Sequence, residues 1–402
     1  ELVFLGSQGS FSCYQIVVRN FLPKSHLRLS SYASAARFSH TLYADGKMSN
    51  SKVVDVHTHV YLPRYMDLLR SRAEVPRVIL DDLGQDRLVI LPGEDKESST
   101  KRGRPIGDEY WSMKRKLEFM DLHGIDVSVI SLANPWLDFL PTTQETFEFA
   151  TALNQDLSTV CTSSDAGGRL FAFGVLPTLS PSASVAEVHR IAQLPHLRGV
   201  IMGTIGAGRG LDDPELIPLF QAIADAGLTI FLHPHHGVGN EHFGGYGHSL
   251  SLALGFPFET TVAVSRLILS GIFDRIPNLR ILLAHSGGTL PFLAGRLDSC
   301  VAHDPAVAEK LQHPPTYYLK RLYYDAVIYH DTGLKATVDL VGADRIMFGT
   351  DNPFFPPLKG EKHVTRWMSV DKNIEAVKGV PGEEKVWNGI MGENAVRILN
   401  LK

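Results

Sequence analysis

His57 and His59 stand one residue apart, and His233, His285 and Asp351 follow far along the chain. Imidazole nitrogens and carboxylate oxygens are the ligands of zinc and similar divalent ions, at about 2.0–2.2 Å. In an extended strand, residues i and i+2 point to one side, so the imidazoles of His57 and His59 face one point. His233 supplies a third nitrogen and Asp351 a carboxylate. His285 is either a fifth ligand or a base beside the ion. A His-x-His pair alone carries little weight, and a single histidine at a strand end usually serves as a hydrogen-bonded core or surface residue. The combination is harder to dismiss because of what precedes each residue.

Each of the five follows an apolar run. Val53-Val54-Asp55-Val56 leads into His57, Leu228-Thr229-Ile230-Phe231-Leu232 into His233, Ile281-Leu282-Leu283-Ala284 into His285, and Arg345-Ile346-Met347-Phe348-Gly349-Thr350 into Asp351. Short apolar runs read as buried strands. Eight strand-like runs are present, at 53–56, 127–131, 170–175, 199–202, 229–232, 280–284, 322–325 and 345–348, with helical patterns such as 154–163, 184–193, 214–226 and 260–273 between them. Alternating strands and helices favour a parallel sheet. Eight units favour a (β/α)8 TIM barrel, whose active site lies at the carboxyl ends of the strands. An open doubly wound sheet would call for a Gly-rich turn after the first strand; His-Thr-His stands there instead.

Two insertions interrupt the pattern on the catalytic face. Residues 62–117 include Glu94-Asp95-Lys96-Glu97 and Lys101-Arg102-Gly103-Arg104, and residues 237–247 are rich in Gly and His. Such segments are either substrate lids or solvated loops. Residues from 367 onward read as C-terminal helices, at 384–387 and 394–399. The barrel domain therefore spans 48–402. Residues 1–47 differ from it, with no Asp or Glu from Leu2 to Leu42 and with Arg19, Lys24, Arg28 and Arg37 among serines. That composition is transit-like; Met48, just ahead of the first strand, offers the alternative of an over-extended gene model. On either account the segment is expected to be disordered and outside the fold.

The 402 residues are 44% hydrophobic and 20% charged, with a net charge of -4. This is a globular composition with no general attraction to nucleic acid or an anionic membrane. No stretch is expected to supply the roughly 20 apolar residues of a membrane span. Cys13, Cys161 and Cys300 are odd in number and far apart, which fits a reducing compartment, the cytoplasm, better than a disulfide framework. A mitochondrial location is the alternative if the first 47 residues are a working transit peptide.

Val-Asp-Val-His-Thr-His at 54–59, Leu-Ala-His-Ser-Gly-Gly at 283–288 and Phe-Gly-Thr-Asp-Asn-Pro-Phe at 348–354 resemble the metal-dependent decarboxylase branch of the amidohydrolase superfamily. The resemblance runs from Val53 to about Leu401. It is closest to the fungal uracil-5-carboxylate (isoorotate) decarboxylases, through Gly103-Arg104-Pro105, Ser131-Leu132-Ala133-Asn134-Pro135-Trp136, His233-Pro234-His235, Ala253-Leu254-Gly255-Phe256-Pro257 and the run 287–296. Animal-type aminocarboxymuconate-semialdehyde decarboxylases typically carry Trp where this chain has His235. Asn352 replaces the His or Tyr usual after the metal aspartate. Two-metal members usually have a lysine after strand four, and residues 199–204 contain none, so one metal is expected.

The resemblance implies that His57, His59, His233 and Asp351 bind one Zn2+ per chain, with Mn2+ as the alternative. It implies a substrate with a carboxylate beside a carbonyl or hydroxyl oxygen, Asp351 as proton donor, and His285 as its partner base or acid. Arg104 is the candidate anion clamp, since a guanidinium grips planar oxygens in pairs. Asn134 suits a polar ring edge, and His235 and Phe354 line the pocket, the latter by stacking. Arg296 fits a subunit contact or a structural ion pair. By analogy the protein is a homodimer, through its C-terminal helices, that takes a small carboxylate and neither nucleic acid nor membrane. Uracil-5-carboxylate ranks first as substrate, ahead of 2-amino-3-carboxymuconate-6-semialdehyde and hydroxybenzoates. The rivals from other classes are a metal-dependent hydrolase such as a lactonase and a non-catalytic metal-binding protein.

Overall fold

The computed structural model describes residues 51–96, 103–357 and 366–402. The extension at 1–47 lies outside the described residues, as do Glu97, Lys101 and Arg102 of the charged insertion. β1 (Val54–Val60) opens the domain. The insertion that follows holds a helix (Pro63–Ser71) and the short strands β2 (Arg77–Leu80), β3 (Asp86–Val89) and β4 (Arg104–Pro105), then a helix at Met113–His123. β5 (Val127–Leu132), β6 (Leu170–Gly174), β7 (Leu197–Gly203), β8 (Thr229–His233), β9 (Arg280–Leu283), β10 (Tyr323–Asp325) and β11 (Ile346–Met347) complete the chain order.

β1 and β5 to β11 form one parallel sheet in the order β1-β5-β6-β7-β8-β9-β10-β11. Backbone hydrogen bonds join its two ends: Val56 N to Phe348 O at 3.0 Å, Asp351 N to His57 O at 2.7 Å and His59 N to Asn352 O at 2.6 Å. The expected barrel is therefore what these residues build. β1, β5, β6 and β8 are buried at every position, as befits strands covered by helices on one side and by a filled lumen on the other. Caps punctuate the helices. Thr143 Oγ1 accepts from Thr146 N at the start of Gln144–Thr162, and Gly124 ends Met113–His123 with φ 68.

Two expectations need correction. The insertion is more than a loop, because β2, β3 and β4 pair antiparallel in that order. Val78 and Leu88, cross-strand partners, bury one face of it. Asp81 Oδ1 accepts from Leu83 N and Gln85 N, both at 2.9 Å, and so closes the turn. Second, among the described residues one helix, Ser251–Leu269, has the length and mean hydropathy (1.4) of a membrane span, contrary to the expectation that none would. Nearly half of it is buried against the barrel, including the carboxylate of Glu259. The C-terminal helices also pack inward. Phe348 N donates to Ile390 O at 2.8 Å, and Asn394 Nδ2 to Ile346 O at 2.8 Å. They cap β11.

Candidate active site

β1 carries His57 and His59 within it rather than beyond it, since the strand runs to Val60. Their rings lie 5.0 Å apart, both facing the lumen. His233 ends β8, with its ring 5.1 Å from His57 and 5.0 Å from His59. Phe231, two residues earlier on the same side, forms the floor 5.0 Å from His57. Asp351 follows β11, and its Oδ1 stands 3.4 Å from His57 Nε2 and 3.6 Å from His59 Nε2.

The second nitrogen of each imidazole decides what the first can do. His57 Nδ1 bonds Asp325 Oδ2 at 2.5 Å, His59 Nδ1 bonds Ser131 Oγ at 3.0 Å, and His233 Nδ1 bonds Pro234 O at 2.7 Å. A carboxylate and a carbonyl only accept, so His57 and His233 carry their protons on Nδ1. All three Nε2 atoms are buried and have no hydrogen-bond partner. One ligand atom from each of His57, His59, His233 and Asp351 falls within 4.8 Å of all the others. Four tetrahedral ligands at 2.0–2.2 Å from a zinc ion sit about 3.3–3.6 Å apart, which matches the two carboxylate–imidazole distances. The residues fit a divalent cation, and the chemistry of the donor set is that of zinc or manganese.

Electrostatics agree. Burial disfavours a charged imidazole at His57, but the Asp325 and Asp351 carboxylates override it and push its pKa up to about 10. Burial, then neighbouring imidazoles, hold His59 and His233 well below the usual histidine value. Burial alone would raise the Asp351 carboxyl, yet His57, His285 and His59 bring it below the ordinary carboxylate range. Two carboxylates around an imidazole cluster in a closed space favour positive charge at its centre.

His285 follows β9, and its Nε2 lies 4.0 Å from Asp351 Oδ2, outside the four-ligand group. Burial, then the charge of His57, lowers its pKa. Its backbone is left-handed (φ 54), as is that of Ser286 (φ 51), a conformation that costs non-glycine residues of order 1–3 kcal/mol. Asp325 offsets that cost. Its carboxylate accepts from His285 N at 3.1 Å, Ser286 N at 2.9 Å and Val327 N at 3.0 Å, besides His57.

The pocket residues are placed as follows. Asn134 Nδ2 and His235 Nδ1 are 3.1 Å apart, and both side chains are buried. Burial takes the His235 imidazole down to about 3, so it is neutral at working pH. Phe354 meets His59 edge-to-face at 5.7 Å and Tyr110 at 5.8 Å. Arg104 is buried rather than solvated; its Nε donates to Glu94, and one terminal nitrogen is buried without a partner. Arg296 is exposed and makes no ion pair among the described residues, which removes the structural-pair reading.

Four residues escaped the sequence analysis. Asp325 joins His57 to the backbone of His285. Tyr329 donates its hydroxyl to Asp351 Oδ2 at 3.2 Å. Lys116, fully buried, donates to Thr58 Oγ1 at 2.6 Å and to Asn352 Oδ1. The carboxylate of Glu259 accepts from the N–H groups of His235 and Gly237 and from Thr204 Oγ1. Only Asp325 left a trace: Tyr323-Tyr324-Asp325 ends a strand-like run in an acid, as 345–351 does.

The family model for Amidohydrolase matches residues 54–401. The 2-amino-3-carboxymuconate-6-semialdehyde decarboxylase of Dictyostelium discoideum is 27% identical over 351 residues, 87% of this chain and 91% of that protein. The apo crystal structure of Metarhizium anisopliae IDCase superposes with a TM-score of 0.83 at 46% identity, covering 89% of this chain and 99% of that one. The 5-carboxyvanillate decarboxylase of Novosphingobium aromaticivorans, complexed with manganese and 4-hydroxy-3-methoxy-5-nitrobenzoic acid, shares the fold with a TM-score of 0.71 at 22% identity, covering 88% and 97%. With a family model spanning nearly all of the described residues and the buried His/Asp cluster at the mouth of the barrel, the chain belongs to the amidohydrolase family.

Proposed function

We propose that this protein is a metal-dependent, non-oxidative decarboxylase that converts uracil-5-carboxylate to uracil and CO2. The observation that carries this reading is the convergence of three buried, unpartnered imidazole nitrogens on one carboxylate. It occurs in a chain 46% identical to IDCase, an isoorotate decarboxylase. Zinc suits three nitrogens and one oxygen; manganese, bound in the 5-carboxyvanillate enzyme, is the alternative.

His57, His59, His233 and Asp351 would hold a divalent cation, which would supply Lewis acidity to an anionic carboxylate substrate. Asp351 Oδ2 lies on the His285 side and accepts from the Tyr329 hydroxyl; a proton taken up there is passed to the ring carbon that bears the carboxylate. The carbon–carbon bond then breaks, its electron pair restores the ring double bond, and CO2 departs. His285, 4.0 Å from Oδ2 and partly open to solvent, relays a proton from water to Asp351 for each cycle. Arg104 grips the anionic or imide oxygens through its partnerless nitrogen, Asn134 and His235 meet the polar ring edge, and Phe354 lies against the ring.

The assay is ultraviolet turnover and CO2 release with three acids: uracil-5-carboxylate, 2-amino-3-carboxymuconate-6-semialdehyde and 2,6-dihydroxybenzoate. Turnover of the first, abolished by chelation and in His233→Ala and Asp351→Ala, is expected. Ring opening by water without CO2 would establish a hydrolase instead. A homodimer in the cytoplasm completes the proposal. Phe292 (87% exposed), Val262, Phe258 and Leu254 are exposed apolar side chains that a subunit contact would cover, and free Cys161 and Cys300 suit a reducing compartment.

A further inference from the structure

Asp351 is held firmly by its main chain and loosely by its own rotamer. Its N–H bonds His57 O at 2.7 Å, and its φ of 59 lies in the left-handed region. The terminal torsion of an aspartate is broad and close to two-fold, so nothing within the residue distinguishes Oδ1 from Oδ2. Its surroundings do. Oδ1 is the oxygen near His57 and His59 Nε2, at 3.4 and 3.6 Å. Oδ2 is 4.0 Å from His285 Nε2 and accepts from the Tyr329 hydroxyl at 3.2 Å.

The hydroxyl is placed by a built device. Tyr329 also has a left-handed backbone, with φ 59. Asn373, fully buried on the helix Met368–Lys378, accepts from Ile328 N at 3.2 Å and Tyr329 N at 2.8 Å through one oxygen. The same side chain donates to Gly349 O at 3.3 Å, two residues before Asp351. One amide thus ties the Tyr329 turn to the Asp351 turn. Phe355 meets the Tyr329 ring edge-to-face at 5.7 Å and steadies it. Strain of this kind persists where the surroundings over-determine it.

We propose that Tyr329 is a positioning residue whose hydroxyl, bonded to Asp351 Oδ2, fixes Oδ1 as the metal-facing oxygen and keeps Oδ2 on the His285 side. Without it, the carboxylate is free to rotate and offer both oxygens to the cation. The proposal rests on the assignment of Asp351 as a metal ligand and proton donor.

The test uses Tyr329→Phe, which removes one oxygen from a partly exposed ring, and cobalt(II) as the probe. The ligand-field spectrum of bound cobalt reports coordination number, which differs between one-oxygen and two-oxygen carboxylate ligation. Both proteins are expected to bind one cobalt. The variant spectrum should change toward higher coordination, and kcat should fall about ten- to hundredfold, the effect of losing a charge-assisted hydrogen bond, with KM within about threefold. Spectra that superimpose would overturn the proposal whatever the rate; a changed spectrum with unchanged kcat would overturn the claim that this orientation serves turnover. Failure of the parent protein to bind cobalt would defeat the metal assignment itself, a separate outcome from either.

Discussion

Asp325→Asn is the sharpest single perturbation of the metal-binding apparatus. The carboxylate is fully buried and accepts four hydrogen bonds, from His57 Nδ1 and from the backbone N–H groups of His285, Ser286 and Val327. An asparagine has one oxygen to offer. Turned toward Ser286 and Val327, it presents its NH2 to His57 Nδ1 and His285 N. His57 can satisfy that NH2 only by moving its proton to Nε2, the atom that must hold the metal. Substitutions of such partners typically cost 10- to 100-fold in metal affinity, about 1.4–2.7 kcal/mol. A buried N–H left unsatisfied at His285 adds about 1–3 kcal/mol of lost stability. Competition with a chromophoric chelator measures the first term, and denaturant unfolding of metal-free protein the second. A folded Asp325→Asn protein that holds zinc within about twofold of the parent would refute the argument that Asp325 fixes the His57 proton.

Further predictions concern the supports around the site. Lys116→Met removes the buried Nζ that donates to Thr58 and Asn352, leaving both acceptors unmet, and should destabilise the fold by about 2–4 kcal/mol; denaturant titration decides, and a loss below about 0.5 kcal/mol would contradict it. Glu259→Leu leaves the N–H groups of His235 and Gly237 without an acceptor, so KM should rise about tenfold with kcat little changed; an unaltered KM would show the loop holds without it. The Asp138 carboxylate, 3.4 Å from His236 Nε2 and opposed by burial, raises the His236 pKa above 6.5. A raised folded value means the contribution is complete below 6.5 and vanishes as pH climbs through the folded pKa. Asp138→Asn should therefore cost more stability near about pH 5.5 than near about pH 9, relative to the parent at each pH; equal losses would disprove the pairing.

The ligands could be read from the sequence because barrel chemistry sits where strands end, and apolar runs mark the strands. His57, His59, His233 and Asp351 each follow such a run, and the structure places them together. The run at 53–56 stops short of the true end of β1 at Val60 because lumen-facing positions near the mouth are polar. β11 shrinks to two residues because Phe348 turns its N–H to Ile390 rather than to a strand partner. The supports were hidden. Lys116 and Asn352 are 236 residues apart, and His57 and Asp325 are 268 apart. A single Lys or Asp carries no spacing pattern that reports such a meeting. Arg104 stood out in its basic run, but Glu94 lies in an acidic stretch that suggested solvent, and only the β3–β4 pairing brings the two together. The apolar helix Ser251–Leu269 shows the same limit, since composition alone cannot tell a barrel's outer helix from a membrane span.

Stepwise return of zinc to chelated protein, with CO2 release from uracil-5-carboxylate recorded at each addition, tests the central claim most directly. Activity is expected to start from zero and saturate at one metal per chain, with one CO2 for each acid consumed. Full CO2 release from metal-free protein, or saturation only at two metals, would contradict a single His57–His59–His233–Asp351 centre.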